Sequence, residues 1–318
     1  MKKRIISVLL ATVFALSVIG CGTKDTKEQD AYRQYGITCM ESGKYEDAVK
    51  AFQNALGESI GHIGEKELDI CFYKAKAQAL DGKTKDALAT YNAIIKYNKD
   101  ARAYYLRGDL YMDMGEEKKG RADFESAVQH GKKNYEIYIG IYESLSRHEK
   151  KDEGQKYLSA AMEIKGDKPE DELYKGRISY LLGENKDAIS YLEKAKEHKQ
   201  MLASYYLGLA YDANGDSDKA KKCIAEYIKS GVATSYDLYE LGMQEMQDGN
   251  YKNALTYFNS GLELEKVPNK QNLMKSAIAA YEYSGDFDSA KKMMKEYLKA
   301  YPDDEEAKHE NTFLEKEN

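Results

Sequence analysis

The side chains best suited to chemistry in this sequence are four cysteines and five histidines. Three of the cysteines, Cys39, Cys71 and Cys223, fall on apolar positions of predicted helices, and none has another cysteine close by in sequence. We interpret them as buried small hydrophobes, and a disulfide outside the cytoplasm stays open as an alternative. The histidines are scattered in predicted loops or charged helix ends without the spacing of a zinc site, so we expect no metal. They are His62, His130, His148, His198 and His309.

Motifs of the common enzyme classes are missing from the sequence. It contains no phosphate-binding Walker loop, no glycine fingerprint for dinucleotides and no nucleophile elbow. Runs of charge such as residues 116–119 are typical of solvated helix faces. The formal net charge of −6 and the pI of about 5.6 disfavour nucleic acid as a partner. We therefore predict a protein that is not an enzyme, binds no cofactor and has no evident small-molecule substrate.

The fourth cysteine, Cys21, follows a segment of different character. Residues 2–4 are basic, and residues 5–19 are mostly apolar and carry no charge. As a helix this apolar stretch is about 22 Å long, which is too short to cross a bilayer core of roughly 30 Å. Residues 1–20 are therefore predicted to be a signal peptide that is removed on maturation. The sequence Val18-Ile19-Gly20-Cys21 resembles the lipobox of bacterial lipoproteins.

The lipobox resemblance implies a cellular location. In that family the signal is cut just before the cysteine, whose sulfur receives a diacylglyceryl group. We therefore expect lipid on Cys21, a short polar tether over residues 21–28, and a chain anchored outside the cytoplasm on a bacterial cell membrane. Two acyl chains hold a protein at a membrane for long times, because each buried methylene contributes about 0.8 kcal/mol. The alternative is an ordinary secretory signal and export without lipid.

The rest of the chain is built from a repeated spacing of residues. Glycines recur at intervals of 32 to 39 residues, with one interval of twice that length, in which Glu149 and Gly154 keep the spacing. The glycines are Gly43, Gly82, Gly115, Gly183, Gly215, Gly249 and Gly285. Five residues after each comes a small residue: Ala48, Ala87, Gly120, Ala188, Ala220, Ala254 and Ala290. A large apolar residue follows four positions later in every case, so the chain contains eight similar units.

Each unit is predicted to be a pair of helices. The glycine permits the left-handed conformation that ends a helix, and the small residue lies where the second helix crosses the first. All three prolines, Pro169, Pro268 and Pro302, fall at unit junctions. One such hairpin cannot bury its apolar face alone, so neighbouring units must stack. The units lie near residues 29–62, 68–100, 101–134, 135–168, 169–200, 201–234, 235–268 and 271–304.

These residues resemble the tetratricopeptide repeat, a helix-turn-helix unit of 34 residues. The third unit shows Gly108 and Tyr111 and the sixth shows Gly208 and Tyr211, while Pro302 stands where the family places a proline. The resemblance covers residues 29–304 and implies an all-α, right-handed α-solenoid of about eight units. Residues 305–318 are predicted to form a capping helix, with Ala307, Phe313 and Leu314 docked on the last unit.

Two parts of the array depart from the pattern. In the fourth unit Tyr142 replaces the glycine of the first helix and Glu149 replaces the glycine of the turn, so we expect this unit to be the least well packed. The spacing between the first two units is longer around residues 57–64, which predicts a looser loop there.

In tetratricopeptide-repeat proteins the first helices of successive units line a concave groove that binds protein. By placing each unit on the others we predict an exposed stripe of large side chains in that groove. Tyrosine and methionine suit this role because they offer apolar area that adapts to a partner. The alternative is that these residues only fill the spaces between helices. The predicted groove residues are Phe72, Tyr105, Met112, Tyr180, Tyr205, Tyr236, Tyr239, Met243 and Met246.

The sequence thus predicts a membrane-anchored scaffold that binds a protein or peptide segment in its groove. One alternative is a structural component of an envelope assembly, secretion or pilus machine. A further alternative is an accessory subunit of a cell-wall enzyme, which no motif favours.

Overall fold

The computed structural model describes residues 24–59, 63–166 and 168–315, and these residues form helices and turns without a strand. The helices are α1 (Lys24–Glu41), α2 (Tyr45–Gly57), α3 (Glu65–Leu80), α4 (Thr84–Asn98), α5 (Ala101–Asp113), α6 (Glu117–His130), α7 (Tyr135–Arg147), α8 (Lys151–Met162), α9 (Pro169–Leu182), α10 (Asn185–Glu197), α11 (Leu202–Ala213), α12 (Ser217–Lys229), α13 (Ser235–Gln247), α14 (Tyr251–Leu262), α15 (Lys270–Tyr283), α16 (Phe287–Ala300) and α17 (Glu305–Leu314).

The helices divide into two compact units. The N-terminal unit runs to Ala195 and the C-terminal unit begins at Lys196. Within each unit consecutive helices pair as antiparallel hairpins, beginning with α1 and α2, and each hairpin stacks on the next. This arrangement confirms the predicted all-α array of helix-turn-helix units.

The turn glycines end the first helix of a hairpin as expected. Gly183 after α9 has φ +83°, in the left-handed region that favours glycine. The Gly183 N–H donates to the Tyr180 carbonyl at 2.9 Å, and the Glu184 N–H donates to the Ser179 carbonyl at 2.8 Å. These two bonds satisfy carbonyls at the helix end that would otherwise lack donors. The chain therefore reverses in a few residues and lays α10 against α9.

The fourth hairpin, α7 and α8, is well packed, so the expectation of a poorly packed unit is wrong. Tyr142 is buried where other units have a small residue, and Gly154 of α8 leaves room for it. A methyl group at Gly154 would lie 3.1 Å from the Cα of Tyr142. Glu149 takes the left-handed turn conformation of the missing glycine, with φ +62°. The hairpin thus keeps the common geometry, because the glycine on α8 makes room for the large side chain on α7.

Helices α5 and α6 approach each other closely because both carry glycine at their crossing. A methyl group on Gly108 would lie 2.8 Å from Phe124 Cδ1 and 3.0 Å from the Gly120 carbonyl oxygen. A methyl group on Gly120 would lie 2.8 Å from Met112 Sδ. Real Cβ contacts are rarely this short, so the two glycines are what allows the helices to lie at this separation.

The last helix, α17, closes the C-terminal unit. Ala307 and Leu314 are buried against α15 and α16, as predicted. Phe313, however, is 66% exposed, so its predicted docking is wrong. Successive residues of a helix are rotated by about 100°, so the side chain next to buried Leu314 is turned away from the last hairpin.

Asp304 joins α17 to the last hairpin. Its carboxylate accepts a hydrogen bond from the Ala307 N–H at 3.1 Å, which caps α17. It also accepts from the Tyr297 hydroxyl at 2.5 Å and lies 2.8 Å from Lys275 Nζ. The hydrogen bonds from Lys275, Tyr297 and the Ala307 amide hold the pKa of Asp304 well below its usual value.

Asp304→Asn is therefore expected to lower the free energy of unfolding of the C-terminal unit by about 1–2 kcal/mol, because Lys275 and Tyr297 lose their anionic acceptor, whereas the asparagine oxygen can still cap α17. A carboxyl with a depressed pKa contributes fully to stability at any pH above its unfolded-state pKa of about 4, and this contribution declines progressively as the pH falls from there towards the folded-state pKa. Urea unfolding at pH 7 and pH 3 measures both effects. The exposed neighbour Asp303→Asn is the matched control. Equal loss in the two variants would contradict the assigned role.

The helical part of the chain begins nearer to the N-terminus than the sequence predicts. Helix α1 starts at Lys24, inside the segment 21–28 predicted as a tether. The predicted signal peptide and Cys21 lie outside the described residues, as does part of the predicted loop at 57–64. None of the described helices is long and apolar enough to cross a membrane.

Candidate functional site

Within each of the two units the first helices of successive hairpins lie side by side, and we call the surface that they share the first-helix face of that unit. In the N-terminal unit, ion pairs connect neighbouring helices of this face. Arg33 of α1 lies 2.6 Å from Asp69 of α3, and Arg147 of α7 lies 2.6 Å from Asp109 of α5. In the C-terminal unit the Ser276 hydroxyl of α15 contacts the Met243 sulfur of α13 at 3.6 Å. All predicted groove residues lie on these first helices.

Two of the predicted groove residues are not exposed. Phe72 is 7% exposed because the guanidinium of Arg102 covers its ring, with Cζ 3.7 Å from the ring centre. Met112 is 2% exposed because it fills the space beside Gly120. Both belong to the hydrophobic core, so their assignment to an exposed stripe is wrong.

Tyr105 and Tyr180 are half-buried on the first-helix face of the N-terminal unit. The Tyr105 ring lies on Gly140 of α7, where a methyl group would come within 2.6 Å of its Cζ. Burial raises the pKa of the Tyr105 hydroxyl well above its usual value. Tyr105 therefore fills the space between α5 and α7. This agrees with the alternative stated above, that such residues only fill the spaces between helices.

In the C-terminal unit the predicted residues are also half-buried, and most of them lie on α13. Tyr239, Met243 and Met246 pack on one cluster that includes Phe258 and Leu273. The ring centre of Tyr239 is 6.2 Å from that of Phe258. Each side chain thus supports the core with one side and leaves the other accessible. Tyr205 and Tyr236 are half-buried on the same face, and the Tyr205 ring lies 5.3 Å from that of Tyr227.

The cysteines lie in apolar surroundings. Cys39 and Cys223 are buried, as the preferred interpretation predicts, and neither forms a disulfide with another described residue. Cys71 borders a cleft of about 550 Å³ between α3 and α4, and burial raises the pKa of its thiol, which lowers its reactivity. The described residues contain no group of histidine, cysteine and acidic side chains that would hold a metal ion. His62 lies outside the described residues.

Comparison with known proteins identifies the repeats. Family models of the tetratricopeptide repeat match residues 101–129, 202–230 and 271–304, which are the hairpins α5–α6, α11–α12 and α15–α16. The chain therefore carries tetratricopeptide repeats at these positions. No curated protein matches the sequence.

Solved structures resemble the chain at low sequence identity. A tetratricopeptide repeat protein from Parabacteroides merdae has a TM-score of 0.46 and 12% identity, over 80% of this chain and 99% of that one. The type IV pilus biogenesis factor PilW has a TM-score of 0.42 and 16% identity, over 76% of this chain and 96% of that one. The APC/C hetero-tetramer Cut9-Hcn1 has a TM-score of 0.43 and 16% identity, over 92% of this chain and 57% of that one.

Proposed function

We propose that this protein is a non-enzymatic scaffold that binds a segment of another protein on the first-helix face of its C-terminal unit. Tetratricopeptide repeats are protein-binding modules, and three are matched in this chain. The observation that carries the proposal is the row of half-buried aromatic and sulfur-containing side chains on α13. Such side chains supply apolar contact area at modest entropic cost, which is typical of binding hot spots.

The partner segment is expected to present apolar side chains. Tyr239, Met243 and Met246 stand at helical spacing on one helix, so they form a single strip along α13. Their buried sides rest on Phe258 and Leu273, which holds them in place before a partner arrives. A surface that is already ordered loses little side-chain entropy on binding. An extended or helical segment with a few large apolar residues matches this strip.

The lipid anchor is the second part of the proposal. Its support is the sequence around Cys21, since a basic start and an uncharged apolar stretch precede a lipobox-like end. The scaffold would then act outside the cytoplasm, attached to a bacterial cell membrane.

Simultaneous Tyr239→Ala and Met243→Ala substitution is expected to weaken partner binding at least tenfold, because hot-spot truncations typically cost 2 kcal/mol or more. The measurement is affinity capture from membranes after mild crosslinking, followed by mass spectrometry. Tyr97→Ala, which removes an exposed tyrosine from the second helix α4, is the matched control.

Both residues also pack on the core, so a second variant separates binding from folding. Met243→Gln with Met246→Gln keeps the side-chain length and makes the accessible surface polar. It is expected to lose the same partners while its urea unfolding curve shows a folded chain. A partner set that stays unchanged in both variants would remove the binding proposal.

A further inference from the structure

The first-helix face of the N-terminal unit carries a cation that the fold leaves unpaired. Three arginines of this face reach acids on a neighbouring first helix, with Arg33 on Asp69, Arg147 on Asp109 and Arg177 on Glu143 at 2.6, 2.6 and 3.1 Å. Lys76 of α3 has no ion pair or hydrogen bond to its ammonium group among the described residues. Its charge is therefore not neutralised by the fold.

Lys76 is also half-buried, so its charge has lost part of its water. Burial lowers the pKa of its ammonium group, and no acid contributes to the shift. A charge removed from water without a partner destabilises a fold, whereas an incoming counter-charge recovers that loss. Lys76 is thus in a position to gain more from an anion than a fully solvated lysine would.

A second cation covers the ring of Phe72, which lies one helical turn before Lys76 on α3. Phe72 stands four residues before Lys76, so the two residues share one side of α3. The guanidinium of Arg102 from α5 lies over the Phe72 ring at 3.7 Å. Stacking holds the guanidinium in place and leaves its N–H groups at the edge free to donate. The Arg102 side chain also makes no ion pair within the part of the chain that the structure describes.

We propose that Lys76 and Arg102 bind the carboxylate side chains of an acidic segment in a partner protein. An arginine fork binds a carboxylate through two parallel hydrogen bonds, and a lysine adds a point charge. The two cations stand in a chain whose net charge is −6, so an acidic partner is attracted to this place and repelled elsewhere.

The surrounding acids favour a short cluster of carboxylates over a long polyanion. Asp69 and Asp109 lie on the same two helices as the two cations, α3 and α5, and each is paired with its own arginine, Arg33 and Arg147 respectively. A continuous chain of phosphates would have to pass these carboxylates, whereas two or three acidic side chains need only the two free cations. This surface belongs to the N-terminal unit and does not depend on the proposed site on α13.

The test uses the full-length protein and a fluorescein-labelled, C-terminally amidated peptide of twelve residues with four glutamates. Fluorescence anisotropy should show binding that is lost with the glutamine counterpart of the peptide. Lys76→Met and Arg102→Gln are each expected to raise the Kd at least fivefold. Lys74→Met removes the same charge from the opposite side of α3, beside the cleft, and should change the Kd less than twofold.

Stability gives an independent readout. Removing an unpaired, half-buried charge should raise the urea midpoint of Lys76→Met, whereas a structural role for Lys76 predicts a lower midpoint and would overturn the proposal. The proposal also fails if the wild-type protein does not bind the glutamate peptide, or if Lys74→Met weakens binding as much as Lys76→Met does.

Two further measurements test whether the two cations bind protein and whether the peptide lies on them. The first uses vesicles of phosphatidylglycerol. If the protein binds them in preference to the peptide, and if Lys76→Met weakens that binding, then the cations bind the membrane surface and the proposal is overturned. Tyr239→Ala should leave the peptide Kd unchanged, because Tyr239 lies in the other unit. A loss of peptide binding in Tyr239→Ala would place the peptide on α13 and contradict the inference.

Discussion

Gly108→Ala is expected to lower the free energy of unfolding by about 2 kcal/mol, the middle of the range for overpacked cores. The added methyl group would overlap Phe124, a fully buried ring, and would press on the Gly120 carbonyl oxygen of α6. A backbone oxygen cannot rotate away as a flexible side chain can, so α5 and α6 must separate. This loss outweighs the gain of up to roughly 1 kcal/mol that alanine has over glycine inside a helix.

The control for this prediction is another helical glycine. Gly57 ends α2 and has nothing within 4 Å of the position that a Cβ would occupy. Gly57→Ala should therefore change stability by no more than about 0.5 kcal/mol. Urea unfolding followed by far-ultraviolet circular dichroism measures both variants. Similar midpoints for Gly108→Ala and the wild type would show that the close crossing of α5 and α6 does not need glycine.

Cys21→Ala is expected to abolish lipid attachment, because no other atom at the predicted cleavage site can form the thioether. Incorporation of labelled fatty acid should fall to background, and the precursor should keep residues 1–20. Cys71→Ala is the matched control, since it also removes a free thiol and should leave the label unchanged.

An uncleaved signal could itself hold the Cys21→Ala precursor at the membrane, so the location is tested in a second form of the chain. When residues 1–20 are replaced by an ordinary secretory signal in the Cys21→Ala background, the processed protein should leave the membrane fraction. The reason is that two acyl chains, each with about 0.8 kcal/mol per buried methylene, supply the attachment. Fatty acid that persists in Cys21→Ala would end the lipoprotein proposal.

The hairpins could be predicted because their signals are local. A glycine five residues before a small residue sets the turn and the helix crossing within one stretch of chain, and Gly183 with Ala188 shows the outcome. The position of the fourth hairpin could be predicted from the sequence, but its close packing could not. Glu149 can take the left-handed conformation at a modest cost, and the sequence does not show that Gly154 makes room for Tyr142.

The exposure of the site residues could not be predicted from the same pattern. Phe72 and Met112 occupy positions that are half-buried in other units, yet both are buried here by contacts with another helix. Arg102 covers Phe72 and comes from the following unit, while Met112 enters a gap that exists because residue 120 is glycine. Burial of this kind depends on which side chains meet across helices, and spacing along one helix does not contain that information.

The two cations on α3 and α5 could not be singled out from the sequence for a related reason. The sequence contains many lysines and arginines, and most of them are expected on solvated faces. Whether Lys76 finds an acid depends on how the helices pack: Asp69 of its own helix pairs with Arg33 of α1, and Asp109 of α5 pairs with Arg147 of α7. The sequence does contain one indication of a binding role for Lys76. When the units are placed on one another, Lys76 falls on the same stripe of first-helix positions as the predicted groove residues.

The early start of α1 limits how far a lipid-anchored chain could extend from its anchor. Only Gly22 and Thr23 separate Cys21 from Lys24, the first residue of α1. Three residue steps of extended chain reach about 10 Å at most, less than the thickness of one leaflet. The first hairpin would then stay next to the lipid headgroups, and its partners would have to come to the membrane to meet it.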